Sequence, residues 1–133
     1  MEISASAHAA ALWVGLHLIL LLVLSVLVVR QRRAHGVVLG DADIPQLTQA
    51  VRAFGNATEY VPAGLIAIAV LALVGAPPPM VHAAGLTLLV GRVAHAIGLS
   101  RSGGASLPRA VGVVLTWLAY ILAAVTLIFY AIP

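Results

Sequence analysis

In RAFGNATEY, Arg52 to Tyr60, an arginine, an asparagine and a glutamate stand directly before VPAGLIAIAVLALVG, which carries no charge. A second polar pair, Arg92 and His95 in GRVAH, also lies in an apolar run. At 100° per residue, Arg52, Asn56 and Glu59 fall within about 60° of one another on one helix face. Arg92 and His95 share a face in the same way. Ionisable groups inside a membrane helix cost roughly 2.5–3.5 kcal/mol each on insertion scales and usually face a bundle interior or a wet cavity. Arginine's planar fork grips carboxylates bidentately, so such a cluster suits an anionic, multidentate ligand. A hydrogen-bond and salt-bridge network between subunits is the other role open to Arg52, Asn56 and Glu59, and both can hold.

The elements that must position these groups are membrane helices. Of 133 residues, 62% are hydrophobic and 8% charged, where a soluble domain carries about a quarter charged. The expectation is a single small all-α bundle of four transmembrane helices, at about 8–29, 45–74, 80–99 and 108–132. Pro45 suits a first helical turn, and GAPPP and SRSGGAS read as turns. No cleavable signal peptide is expected, because MEISASAH is acidic where such a segment is basic.

All seven basic residues are arginines, without the basic patch that nucleic-acid binding requires. With no cysteine in the chain, a disulfide, a thiolate nucleophile and a Cys-ligated metal are excluded. The five histidines are spread over several depths with no carboxylate to complete a metal cluster, so no metal is expected. Arg30, Arg32 and Arg33 follow the first span, and Arg101 and Arg109 flank the third connection. The positive-inside rule then places both basic loops in the cytoplasm and both termini on the other side.

Depth follows from the helical rise. Counted from the opposite ends of their spans, Glu59 and His95 both lie about 22 Å deep, and Arg30, Arg52 and Arg109 about 33–35 Å. Two polar layers result: an outer ring of Arg30, Arg52 and Arg109 at the interface, and Asn56, Glu59, Arg92 and His95 beneath it. Plainer roles remain for several of these residues. Arg92 can be the structural partner of Glu59, His95 a helix–helix hydrogen-bonding residue, and Arg109 an interfacial anchor. Arg32 and Arg33 suit lipid phosphates. Trp117 and Tyr120 look like packing or lipid-facing residues, Tyr130 suits the interfacial belt, and Gly64, Ala67, Gly85 and Gly91 permit close helix approach.

RAFGNATEYVP followed by GRVAH resembles the MAPEG family of membrane proteins of eicosanoid and glutathione metabolism, over nearly the whole chain. RRAHGVVLGD and the Pro108-Arg109 start of the last span fit its bacterial branch, which implies an inner-membrane location. The resemblance implies a homotrimer with glutathione as co-substrate, bound between subunits near the cytoplasmic face. It also implies transfer of the glutathione thiolate to lipophilic electrophiles, or reduction of lipid hydroperoxides. By the same resemblance Arg52, Asn56 and Glu59 contact glutathione, Arg30, Arg92 and His95 complete the shell, and Arg109 stabilises the thiolate. Three positions depart from the glutathione-using pattern. Gly55 stands where a second arginine is frequent, and Leu99 and Val113 where aromatic hydroxyls are common. A non-catalytic lipid- or anion-binding scaffold of the same fold is therefore the alternative. A small transporter is disfavoured by the lack of an inverted repeat.

Overall fold

The computed structural model describes residues 4–132. It contains four helices, α1 (Ala5–His35), α2 (Pro45–Leu73), α3 (Pro78–Arg101) and α4 (Leu107–Ala131), each long and apolar enough to cross a membrane. α1 runs further than its apolar stretch requires. Arg30, Arg32 and Arg33, expected in a connection, belong to its last turns. Cationic side chains there oppose the negative end of the helix dipole. The stop comes at Gly36, whose left-handed φ of 66° any residue with a Cβ would adopt at a cost. Arg32 carbonyl then accepts from the Val37 backbone N–H at 3.0 Å.

Pro45 opens α2 as the sequence suggests, and Pro78 opens α3. In the connecting loop the Thr48 hydroxyl donates to Asp41 at 2.9 Å and holds that carboxyl below the usual carboxylate range. Pro62 lies inside α2 and deprives the Thr58 carbonyl of its helical donor. Close by, the Tyr120 hydroxyl of α4 donates to the Tyr60 carbonyl. A neighbouring helix thus braces α2 where its own ladder is interrupted. Tyr120 is half-buried by this contact rather than turned to lipid.

α3 is the central helix. It packs on α1, α2 and α4, whereas α1 and α4 do not meet. One apolar cluster, including Trp13, Ile68, Leu71, Val81 and Leu88, fills the end that holds the N-terminus and the α2–α3 turn. A second, of Leu24, Ala53, Ala57, Val61, Ala96 and Leu99, fills the end nearer the two basic loops. Small residues set the spacing. A Cβ at Gly85 would enter the Trp13 ring, and one at Gly64 would enter Leu88. Gly91 faces Gly112 and Thr116 across the α3–α4 contact, where a Cβ would lie 3.0 Å from the Gly112 carbonyl oxygen. Gly112 and Gly98 complete this seam, and their role was not apparent from the sequence.

Polar ties accompany the apolar packing near the N-terminal end. Ser6 donates to the Ala76 carbonyl at 2.7 Å, and the Trp13 indole N–H donates to His82 Nδ1 at 3.1 Å. His17, wholly buried, donates its Nδ1–H to the Trp13 carbonyl at 2.7 Å.

Candidate functional site

Arg92 is the hub of the polar residues. It sits on the central helix, 2% exposed. Its Nη1 donates to Asn56 Oδ1 at 2.7 Å and its Nε to Thr116 Oγ1 at 2.9 Å. The guanidinium carbon stands 4.9 Å from the centroid of the Tyr60 ring, a cation–π distance. Thr116 in turn donates to the Gly112 carbonyl at 2.8 Å, so its hydroxyl is oriented to accept from Arg92.

The direct partner of Arg92 on α2 is Asn56, with Glu59 one step further out. With its carbonyl committed to Arg92, Asn56 presents its amide N–H to Glu59 Oε2 at 3.4 Å. The chain Thr116, Arg92, Asn56, Glu59 therefore runs from the α3–α4 seam to the outer face of α2. Asn56 is half-buried, while Arg52 and Glu59 are exposed on the same face. Arg92's contacts are neutral oxygens and an aromatic face, so its charge biases the open rim toward an anion.

His95, 4% exposed, lies one turn along α3 with its backbone against Gly112. Arg92 precedes it by three residues on the same helix face. Arg109 opens α4 with its backbone against Gly98, and its Nη1 donates to the Gly104 carbonyl at 3.4 Å. Beside it runs an apolar groove of about 490 Å³, lined by Ser106, Val113, Val114 and Trp117. Ser106 Oγ is buried there without a partner among the described residues. Arg30 and Arg52 are exposed on α1 and α2 and take no part in the Arg92 network.

A single chain thus brings Asn56, Glu59 and Arg92 together and sets His95 one turn from Arg92, while Arg109 stands apart at the start of α4 against Gly98 and Gly104. Tyr60 and Thr116 are the members that sequence reasoning missed. Each lies one helical step from a flagged residue, but an isolated hydroxyl in an apolar run signals only packing. Leu99 points into the apolar cluster with Leu24 and Ala53, away from the polar network. At Gly55 a Cβ would meet nothing within 4 Å, so the position is open.

Because Arg92 is buried without a carboxylate, its contribution to stability is the difference of two comparable quantities. Desolvating the charge costs several kcal/mol. Two charge-assisted hydrogen bonds return roughly 1.5–3 kcal/mol each, and the Tyr60 face about 0.5–2. Arg92→Leu is accordingly expected to shift thermal stability by no more than about 2 kcal/mol either way. It should nevertheless leave the Asn56 amide unoriented and lower anion affinity about tenfold. Parallel melting curves and ligand titrations check this; a large loss of stability with unchanged affinity would make Arg92 a purely structural residue.

The MAPEG family profile matches residues 10–129. The inner membrane protein YecN of Escherichia coli K12 is 38% identical over 89 residues, which cover 67% of this chain and 68% of that protein. YecN of Escherichia coli strain CFT073 gives the same figures. With its four spans, the chain is an integral protein of the bacterial inner membrane. The match spans nearly all of α1 to α4 and takes in every residue of the Arg92 network, and the chain belongs to the MAPEG family.

Proposed function

We propose that the protein is a membrane-embedded, glutathione-dependent transferase or peroxidase, assembled as a homotrimer with its site between subunits at the cytoplasmic end. The observation that carries it is the Arg92–Asn56–Glu59 chain opening on the exposed face of α2; the groove-lining Arg109 at the start of α4 supplies a second cation. Glutathione has two carboxylates and an amine. Arg52 and the Asn56 amide suit a carboxylate, and Glu59 suits the ammonium. The exposed polar face of α2 needs a covering surface at bilayer depth, and a neighbouring copy supplies one. Arg30 and Arg109 of that copy would then reach the ligand from the far side.

The sulfur comes from the ligand, since the chain has no cysteine. A free thiol ionises near pH 8.5, and a neighbouring guanidinium favours the thiolate at neutral pH. Arg109 fills that role. The apolar groove beside it holds a lipophilic electrophile with its reactive carbon at the arginine end. With chlorodinitrobenzene, the sulfur bonds to the ring carbon, chloride leaves with the bonding electron pair, and the thiol proton passes to water. With a lipid hydroperoxide, two glutathiones give up two electrons and form a disulfide, and the O–O bond is cleaved to an alcohol and water. Conjugation of chlorodinitrobenzene by the purified protein tests the proposal. Turnover dependent on glutathione supports it, and its absence from a preparation that binds glutathione favours the scaffold reading.

That second reading has its own observation. Leu99 is committed to the core and Val113 lines the groove, so neither supplies a hydroxyl at the reacting sulfur. Gly55 separates weak binding from none. Gly55→Arg has room for its side chain and replaces glycine in a helix interior, which favours folding. It is expected to raise glutathione affinity about tenfold through one charge-assisted hydrogen bond, as read by titration. Unchanged affinity would move the carboxylate subsite elsewhere.

A further inference from the structure

On the opposite flank of α3 from the α4 seam, two cavities that share Leu27 and Ser100 form a continuous slot. The lower part, about 310 Å³, lies between α1 and α3 and is apolar, walled by Leu20, Val23, Leu24, Val93 and Ile97. Val23, Val93 and Ile97 are open to the bilayer, at 50%, 37% and 39% exposure. The upper part, about 160 Å³, is lined by three amides, Gln31 of α1 and Gln46 and Gln49 of α2. Arg101, exposed at the end of α3, stands at the rim of the apolar part. None of these polar residues belongs to the Arg92 network, and the loop beside them is tied separately, from Arg32 to Val38 and from Thr48 to Asp41.

We propose that this slot binds one phospholipid with an anionic, hydroxyl-bearing headgroup. Its chemistry is ordered along the membrane normal as such a molecule is. From Leu20 to Gln31 the α1 wall rises about 16 Å, apolar at the bilayer interior and polar at the headgroup level. An acyl chain lies between α1 and α3. Each glutamine amide offers two donors and an acceptor, which matches hydroxyls that both give and accept. Arg101 takes the phosphate with its fork. An ammonium headgroup finds no carboxylate among the described residues that line the slot and meets the arginine's charge instead. Phosphatidylglycerol therefore fits better than phosphatidylethanolamine. The site is independent of glutathione chemistry.

The full chain, reconstituted in nanodiscs of equal parts phosphatidylglycerol and phosphatidylethanolamine and released for native mass spectrometry, tests this. About one lipid should remain per chain, enriched in phosphatidylglycerol about fivefold, as one arginine at an anionic headgroup supplies. Arg101→Gln should return the ratio to that of the nanodisc, and Gln49→Leu should weaken it. Ile97→Trp fills the apolar part from a half-exposed position and should abolish retention while the melting temperature holds. A wild-type ratio equal to the bulk, no retained lipid, or retention unaffected by Arg101→Gln and Ile97→Trp would overturn the proposal. So would an intermolecular disulfide formed by Ile97→Cys, a unique cysteine in this chain, because a second copy would then occupy the slot.

Discussion

Gly112→Val is expected to lower stability by about 3–5 kcal/mol, a fall of about 10 °C or more in melting temperature. A Cβ at Gly112 would lie 2.5 Å from the His95 backbone nitrogen and 2.6 Å from the Gly91 carbonyl oxygen. Both obstacles are backbone, so relief comes only from parting α3 and α4. Overpacking of this kind costs roughly 1–3 kcal/mol by itself. Parting the helices also draws Thr116 away from Arg92, now 2.9 Å apart, at roughly 1.5–3 kcal/mol for a hydrogen bond to a charged group. The control is Gly15→Ala, where a Cβ meets nothing within 4 Å and the melt should hold or rise. Equal melting temperatures for Gly112→Val and the wild type would contradict the close seam between α3 and α4.

Arg109→Ala is expected to reduce glutathione conjugation at neutral pH by about thirtyfold, the thiol-to-thiolate ratio at pH 7 for a thiol ionising near pH 8.5. Its pH profile separates this role from simple anchoring. On the proposed chemistry, Arg109 holds the ligand thiol as thiolate at neutral pH. Without it the ligand thiol returns toward its ordinary pKa near 8.5, so activity should recover as pH rises through that value. Arg109→Lys keeps the charge and should restore part of the rate without the bidentate geometry. A uniform loss across the pH range, with glutathione affinity also gone, would assign Arg109 to binding or to the helix end instead.

Much of this arrangement was legible in the sequence, for a simple reason. A bilayer demands about 20 apolar residues per span, so four helices could be counted directly. The same demand makes every polar residue within a span conspicuous, which is how Arg92, Asn56 and Glu59 stood out. What the helical wheel could not supply was register between helices. Glu59 looked like the natural counter-charge for Arg92, yet Asn56 is the residue that the α2–α3 packing brings to 2.7 Å. Thr116 and Tyr120 lie on a strongly apolar helix, and only packing gives them partners: the seam at Gly91 and Gly112 brings Thr116 to Arg92, and the α2–α4 contact brings Tyr120 to the Tyr60 carbonyl. The six extra residues at the C-terminal end of α1 escaped notice because charge ends a membrane span without ending a helix. Leu99 counted as a missing hydroxyl by spacing, while in space it belongs to a different cluster.

Whether the face of α2 backed by Arg92 binds glutathione, as proposed, is decided by isothermal titration of glutathione into the purified protein in mild detergent. Saturable binding below about millimolar concentration is expected, weakened about tenfold or more by Asn56→Leu, which removes the carboxamide between Arg92 and Glu59. No saturable heat at millimolar glutathione, in a preparation whose melting curve shows a folded bundle, would contradict it.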